Sequence, residues 1–270
     1  MAEDIGEGDH SSLSTIPKDL KGVARLKIKQ NGIIAGLELA KEIFYKIDAS
    51  LELIINAKDG DSVHVGEIAF EVKGPVRSIL AAERLVLNCM QRMSGIATYT
   101  NYLCKLIEGT SAKILDTRKT TPNLRPLEKW AVIIGGGTNH RFALYDMIML
   151  KDNHVDYSGG VAQALESSKT YLETTGKDLK IEIETRNLDE VKEVLSTGVA
   201  DIIMLDNMDT ATMKVAVELI GGAMKTEASG GITEENILEM ARTGVDYISI
   251  GALTHSVKSL DMSLKAEIVK

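Results

Sequence analysis

The chain has 270 residues, 44% of them hydrophobic, and a formal net charge of -8 at pH 7. This length and this apolar fraction suffice for one large core or two modest ones in a globular protein. A chain with a pI near 5.3 lacks the broad positive potential that attracts nucleic acids and anionic membranes, so both are excluded as general partners.

The first residues bear on where the protein works. No apolar run approaches the roughly 20 residues that span a bilayer. The opening MAEDIGEGDHSS is acidic, whereas a secretory signal is basic and then apolar. We therefore expect a cytoplasmic protein without a membrane segment.

The first part of the chain predicts a small α/β unit. VARLKIKQNG, residues 23–32, alternates apolar and polar residues into an Asn-Gly turn, and residues 36–47 have helical spacing. Two strand-like runs, 50–60 and 66–74, precede one long helical pattern over residues 77–107. We place the end of this domain at residue 108.

From residue 112 onward, short apolar strands alternate with amphipathic helices. The strands are AKILD, DMIML, KIEIE, DIIML, KTEAS and DYISI, and the helices between them are expected near residues 124–134, 159–175, 188–196, 209–220 and 234–243. This is the pattern of right-handed βα units around a parallel sheet. Because reactive residues follow almost every strand, we predict a six-stranded, TIM-like α/β barrel at residues 109–255.

A basic segment lies within this otherwise acidic chain. From Arg118 to Lys151 there are six Arg or Lys residues and two acids, and Lys119, His140 and Arg141 also adjoin strand ends. Arg binds carboxylates or phosphates through two parallel hydrogen bonds, and Lys acts as a point charge. The segment predicts a binding site for a small anion, with unrelated solvated charges as the alternative.

Two carboxylates follow neighbouring strands of the predicted barrel. Glu184 ends KIEIE and Asp206 ends DIIMLD, so both would reach one hydrated Mg²⁺, which proteins hold through one or two carboxylates, substrate phosphates and water. Either acid alone is also typical of a helix N-terminus. Glu182 shares the strand face of Glu184 and is a second candidate whose role stays open.

Two glycine turns lead into helices in the last two βα units, in EASGGIT and SIGALTHS. Backbone N–H groups in such turns and the dipole of the following helix favour phosphate. The same location is a recurrent phosphate site in α/β barrels. The turns therefore predict a phosphate site.

The motifs, in their order along the chain, resemble the quinolinate phosphoribosyltransferase family. The resemblance rests on DTRKTTPNLRPLEKWAVIIGGGTNHR, LYDMIMLKDNH, IEIE, IMLDN, EASGGI and ISIGALTHS, with ERLVLN and SGIAT upstream. It implies an N-terminal open-faced α/β sandwich domain, residues 1–108, onto which the tail 256–270 packs, followed by the barrel. It also implies phosphoribosyl transfer from PRPP to quinolinate with decarboxylation, which gives nicotinate mononucleotide, CO₂ and pyrophosphate in de novo NAD synthesis.

The resemblance further implies roles for particular residues. Five residues would hold the two carboxylates of quinolinate: Arg118, His140, Arg141 and Lys151, with Arg84 from the neighbouring subunit of a homodimer. Lys119 would contact PRPP phosphate, while Glu184 and Asp206 would serve the ribose hydroxyls and a Mg²⁺ ion held largely through PRPP and water. The 5-phosphate would be received by Ser229, Gly230, Gly251 and His255. Whether dimers assemble into a hexamer stays open.

Three alternatives remain at this point. One is a related phosphoribosyltransferase with another heterocyclic acceptor, of the molybdenum-locus type, from which the NHR and KDNH motifs point away. Another is a Schiff-base lyase or aldolase that uses Lys151 or Lys119. The third is an anion-binding protein without catalysis, against which the pair Glu184 and Asp206 argues.

Overall fold

The computed structural model describes residues 3–267, and the chain divides into two compact units. The first unit takes in the chain up to residue 101 together with 121–136 and the chain from 256 onward. The second unit comprises 102–120 and 137–255. The contiguous domain ranges expected from the sequence stay a prediction.

The first unit is built on a four-stranded antiparallel sheet. Its elements are α1 (His10–Thr15), β1 (Lys21–Ile28), β2 (Gly32–Ile33), α2 (Leu37–Ile47), β3 (Glu52–Ile55), β4 (Ser62–Val63), β5 (Ile68–Pro75) and the start of α3 (Val76–Leu106), which are joined by β12 (Met262–Glu267). The strand order is β12-β1-β5-β3, and β2 pairs separately with β4.

Alternation along β1 builds the core of this unit. Leu26 and Ile28 are fully buried on one face of the strand, as its period of two requires, and Leu264 of β12 pairs opposite Leu26. The rings of Phe44, from α2, and Phe70, from β5, meet edge to face with centroids 5.8 Å apart. The long α3 covers residues that the sequence predicts to be helical.

The second unit contains all six predicted barrel strands. They are β6 (Lys113–Leu115), β7 (Ile148–Leu150), β8 (Ile181–Thr185), β9 (Ile202–Asp206), β10 (Lys225–Ser229) and β11 (Tyr247–Ser249). The helices are α4 (Arg125–Ile134), which groups with the first unit, then α5 (Asp152–Ser158), α6 (Val161–Thr175), α7 (Leu188–Thr197), α8 (Thr210–Ile220), α9 (Ile237–Arg242) and α10 (Ala252–His255). The helix α5 is an addition to the elements predicted from the sequence, whereas α10 follows the glycine turn of SIGALTHS as predicted.

The six strands form one parallel sheet in the order β6-β11-β10-β9-β8-β7. This is the strand order of a barrel opened at the seam between β6 and β7. Within residues 3–267 those two strands share no ladder, and Thr138 forms an isolated parallel bridge with Leu115 beside the seam. The predicted α/β class, with a six-stranded parallel sheet and an N-terminal strand and helix domain, is confirmed.

Candidate active site

A cavity of about 310 Å³ lies among the strand ends of the second unit. Seven of the residues predicted from the sequence line it: Arg118, Lys119, His140, Arg141, Lys151, Glu184 and Ser229. The other lining residues are Thr117, Met149, Met204, Glu227 and Ser249. The sheet therefore brings most of the basic segment to one place, as the sequence predicts.

Strand alternation aims these side chains into the cavity. Glu184 of β8 pairs with Met204 of β9, which in turn pairs with Glu227 of β10, so three neighbouring strands present one residue each at the same level. Ser229 lies two residues beyond Glu227 and points to the same side. One face of the sheet thus supplies both acids and the serine.

Two arginines form the cationic wall of the cavity. The Nε atom of Arg118 is buried and has no hydrogen-bond partner among residues 3–267. Arg141 is 8% exposed, and its Nη1 donates to the carbonyl oxygen of Met147 at 3.4 Å. Burial and the neighbouring charge of Arg118 lower the pKa of Arg141. An anion placed between the two guanidinium groups would relieve this repulsion and would occupy the buried Nε of Arg118.

Lys151 and Glu184 form an ion pair in the cavity wall. The Nζ atom of Lys151 donates to Oε1 of Glu184 at 2.6 Å, and the backbone N–H of Asp152 donates to Oε2 at 3.3 Å. At the start of α5, the backbone N–H of Lys151 donates to Nδ1 of His154 at 2.9 Å. The KDNH motif therefore serves to fix the end of β7 in place.

His140 lies between two fully buried carboxyl groups. Its Nε2 atom is 2.8 Å from Oε2 of Glu182 and 3.4 Å from Oε2 of Glu227, and both acids are 0% exposed. Its Nδ1 atom accepts the backbone N–H of Arg141 at 2.6 Å, so Nε2 is the nitrogen that carries a proton toward the acids. Its own backbone N–H donates to Oδ1 of Asp116 at 2.8 Å.

The charges of this group are strongly coupled. Burial alone would lower the pKa of His140, but the close carboxyl groups of Glu182 and Glu227 outweigh it and raise the pKa to about 10. Burial and the charge of Glu227 raise the pKa of Glu182 to about 7. The two acids therefore favour a proton on Nε2, the ring nitrogen that faces them.

The same three residues approach the geometry of a cation site. One ligand atom from each of His140, Glu182 and Glu227 lies within 4.8 Å of the others, and no second group of this kind occurs among the described residues. The protonated Nε2 of His140 already occupies the space between the two carboxyl groups, however. We therefore interpret the group as a buried ion-pair network.

Asp206 stands at the end of β9, half-buried, and does not cap the following helix. Its Oδ2 atom accepts a hydrogen bond from Nδ2 of Asn207 at 2.7 Å. The N-cap of α8 is Asp209, whose side chain accepts the backbone N–H of Thr212 at 2.8 Å. The capping role considered for Asp206 therefore belongs to Asp209.

The two glycine turns lie close to these residues. Gly230 has φ +86°, and a Cβ atom there would overlap the carboxamide of Asn207, the partner of Asp206. A Cβ atom on Gly251 would lie 2.9 Å from Cδ of Lys119 and 3.1 Å from Cδ2 of His255. Only glycine leaves this room, so Lys119 lies close to the backbone of Gly251 and Asn207 lies close to that of Gly230.

The remaining predicted residues lie outside the cavity lining. Asp206, Gly230, Gly251 and His255 adjoin lining residues, as described above, without lining the cavity themselves. Arg84 is exposed on α3 in the first unit.

Sequence reasoning missed Glu227 and left Glu182 open. Glu227 lies inside the strand KTEAS, two residues before Ser229, so the period of two places both on the cavity side. The available signal was a charged residue in the middle of a short buried strand, which is unusual unless the charge has a partner.

Comparison with known proteins matches nearly the whole chain to one family. Residues 9–94 match the family described as "Quinolinate phosphoribosyl transferase, N-terminal domain", and residues 96–265 match its C-terminal domain. The "Quinolinate phosphoribosyltransferase [decarboxylating] 2b, mitochondrial" of Nicotiana tabacum is 48% identical over 99% of this chain and 80% of that protein. The "Probable nicotinate-nucleotide pyrophosphorylase [carboxylating]" of Bacillus subtilis (strain 168) is 46% identical over 97% of this chain and 89% of that protein.

A solved structure agrees with these sequence relatives. The crystal structure of NadC from Streptococcus pyogenes superposes with a TM-score of 0.95 at 39% identity, and the match covers 100% of this chain and 94% of that one. The fold and the order of the motifs are therefore shared along the whole length.

The relatives also contradict the expectation that this is a cytoplasmic protein. That expectation, drawn from the sequence, is wrong. The plant relatives are named mitochondrial or chloroplastic, including a chloroplastic protein of Arabidopsis thaliana that is 47% identical over 99% of this chain and 80% of that protein. An acidic opening segment argues against a secretory signal, but it does not separate cytoplasm from organelle. Among residues 3–267, no helix is both long and apolar enough to cross a membrane.

Proposed function

The chain belongs to the quinolinate phosphoribosyltransferase family, and from this membership we infer that it is a pentosyltransferase of NAD biosynthesis. It transfers the phosphoribosyl group of PRPP to quinolinate, with release of CO₂ and pyrophosphate. The observation that carries this function is the buried Nε of Arg118, which has no hydrogen-bond partner in the described part of the chain and lies at a cationic cavity.

Quinolinate is a planar pyridine dicarboxylate, and the cationic wall suits it. We propose that Arg118 and Arg141 bind its carboxylates through paired N–H groups, with Lys151 as a further cation. His140 completes the wall beside Arg141. A dicarboxylate would offset the repulsion between the two guanidinium groups, which nearby acids such as Glu182 oppose in part.

PRPP is bound on the side of the glycine turns in this proposal. Lys119 lies against Gly251 and near His255, so these three residues offer a cation, a backbone amide and an imidazole to phosphate oxygens. Ser229 and Gly230 offer a hydroxyl and a second glycine turn at the end of β10. The two turns thus support a phosphate site beside the quinolinate wall.

Glu184 and Asp206 are the proposed acids of the reaction and the proposed protein contacts of Mg²⁺. Each lies within the last two residues of its strand. Glu184 already accepts hydrogen bonds from Lys151 and from the backbone N–H of Asp152, and Asp206 accepts one from Asn207. Two carboxylates are enough for Mg²⁺, because this ion keeps several waters and binds mainly through substrate phosphates. When bound with PRPP, Mg²⁺ neutralises the negative charge that develops on the departing pyrophosphate.

The chemistry needs positioning and charge rather than a protein nucleophile. As the bond from the anomeric carbon to pyrophosphate breaks, positive charge develops on the ribose, and nearby carboxylates stabilise it. The arginine wall holds the quinolinate nitrogen in line to form the new bond. The ribosylated nitrogen is cationic, so it accepts the electron pair left when the adjacent carboxylate leaves as CO₂, and a proton then takes its place.

We further propose that Arg84 completes the site from the partner subunit of a homodimer. Arg84 is exposed on α3 and is free to meet an anion held by another chain. Mixing Arg84→Ala with Arg118→Ala tests this directly, because a mixed dimer regains one complete site. Activity that reappears on mixing supports the shared site, and two variants that stay inactive together contradict it.

The first experiment is an assay of purified protein with PRPP and Mg²⁺, given quinolinate in one reaction and nicotinate in another. We expect nicotinate mononucleotide, CO₂ and pyrophosphate with quinolinate alone. Absence of product from a folded sample with both acceptors would reject quinolinate as the acceptor. A Schiff-base lyase is disfavoured because Lys151 is held in an ion pair. Borohydride reduction in the presence of a carbonyl substrate tests this alternative, because it would trap a covalent lysine adduct.

A further inference from the structure

Glu227 has no part in the contacts assigned above, although it lines the cavity and is fully buried. A buried carboxylate is costly unless a charged or hydrogen-bonded partner compensates it. The partner of Glu227 is Nε2 of His140 at 3.4 Å, and Glu182 approaches the same atom at 2.8 Å. Two acids therefore converge on one imidazole nitrogen inside an anion-binding cavity.

The imidazole of His140 is held on its other side as well. Nδ1 accepts the backbone N–H of Arg141, and the backbone N–H of His140 donates to the buried Asp116. Any rotation of the ring would break the contact with Arg141, the next residue in the chain. The ring thus links the two acids to the backbone from which the Arg141 guanidinium enters the cavity.

The position of Arg141 needs such support. Its guanidinium is buried beside Arg118, a like charge, and Glu182 is among the acids whose charge opposes this repulsion. Without fixed acids nearby, the two guanidinium groups would repel each other and move apart until quinolinate bound. Fixed acids hold the wall in its binding geometry beforehand, so less ordering is needed on binding.

We propose that Glu227 and Glu182 are positioning residues for quinolinate binding, which hold His140 by its Nε2 atom and thereby fix Arg141 in the wall of the cavity. This inference rests on the proposed function and deepens it, since it assigns a role to two acids inside a site for a dianion. Neither acid touches the substrate in this role.

The test begins with Glu227→Gln, which keeps the size of the side chain and removes its charge. We expect the KM for quinolinate to rise about tenfold, the scale for weakening one buried charge-assisted hydrogen bond, while kcat and the KM for PRPP stay near their wild-type values. Thr226→Val is the matched control, because Thr226 is buried on the same strand but bonds to Asp246 instead. It should leave all three constants unchanged.

A double-mutant cycle shows whether Glu227 acts through His140. If it does, the double variant should have the same KM for quinolinate as His140→Asn alone. If the two residues act independently, the two fold-increases in KM should multiply in the double variant. Multiplied effects would overturn the proposal. Should Glu227→Gln fail to fold, Glu182→Gln takes its place in the same cycle.

The ring itself gives a readout that does not depend on activity. The imidazole ¹⁵N signals of free wild-type protein should show a proton held on Nε2 of His140, with assignment from His140→Asn among the five histidines. Glu227→Gln should shift the Nε2 signal, because one of the two acids that face this nitrogen loses its charge. Unchanged signals together with an unchanged KM would overturn the proposal, whereas a wild type without quinolinate-dependent product would refute the proposed function instead.

Discussion

Nζ of Lys151 lies 2.6 Å from Oε1 of Glu184, so a proposed quinolinate ligand and a proposed acid of the transfer step already share an ion pair. Lys151 is 45% exposed in its side chain and Glu184 is 11% exposed. A pair this open to solvent contributes at most about 1 kcal/mol, so a carboxylate of quinolinate can compete for the ammonium at small cost.

This pair predicts opposite kinetic effects for its two members. Lys151→Met should raise the KM for quinolinate about tenfold or more, with a smaller change in kcat, because a cation of the binding site is lost. Glu184→Gln should lower kcat while the KM for quinolinate stays level or falls, because Lys151 is released. Steady-state kinetics with quinolinate distinguish the effects of the two variants. A raised quinolinate KM in Glu184→Gln would contradict the assignment of Glu184 to the transfer step.

Arg118→Ala should weaken quinolinate binding in particular. The buried Nε of Arg118 is left for the ligand, and a charge-assisted hydrogen bond contributes about 1.5–3 kcal/mol, so the dissociation constant should rise roughly tenfold to a hundredfold. Calorimetry with quinolinate measures this. Arg118→Lys should not restore the affinity, since an ammonium cannot reproduce the two parallel N–H groups. Equal kinetics for wild type and Arg118→Ala would refute the assignment.

Asp206→Ala should lower turnover while it leaves quinolinate binding intact. The acid stands at the end of β9, outside the arginine wall, and its proposed role is to stabilise charge that develops during transfer. Loss of one such group typically costs about a hundredfold or more in kcat. Asp209→Ala is the control, because it removes the cap of α8 and about 1 kcal/mol of stability without touching the site. Loss of quinolinate binding by calorimetry in Asp206→Ala would count against the role.

The strands and most of the site follow from sequence because both rest on local patterns. The barrel strands are short runs that recur between helical patterns, and the period of two aims Glu184 of β8 and Ser229 of β10 toward one side. The association of His140 with Glu227 does not follow in this way. Glu182 and Glu227 lie on β8 and β10, which are separated by β9, so their meeting depends on the curvature of the sheet.

The short helix α5 was the other element that the sequence did not reveal. The seven residues of α5 begin with the polar Asp152 and bury only Val155, so they show no apolar face to predict a helix. The contact between His154 and the backbone of Lys151 sets its start. Such a contact depends on side-chain geometry, which periodicity does not record.

Gly230→Ala should impair the phosphate side of the site. The residue has φ +86°, and the added Cβ atom would displace Asn207, which donates to Asp206. We expect a higher KM for PRPP, a lower kcat and a loss of roughly 1–3 kcal/mol in stability. Gly231→Ala is the matched control, because its φ is +61° but the added atom meets nothing within 4 Å. If both variants lose PRPP binding equally, backbone strain rather than the Asn207 contact would be the cause.

Asp246→Asn should show a stability effect that depends on pH. Burial alone would raise the pKa of Asp246, but Lys225 and the two hydrogen bonds from Thr226 outweigh it and lower the pKa below its usual 3.8. A lowered carboxyl pKa gives stability that is fully present above about pH 3.8 and is lost as the pH falls through the lower, folded value. The variant should therefore melt below wild type at pH 7, by about 1 kcal/mol in free energy, and the difference should shrink as the pH falls below 3.8. Thermal melts at a series of pH values measure it, and a difference that is constant or grows on acidification would show that the carboxylate charge is not what stabilises this turn.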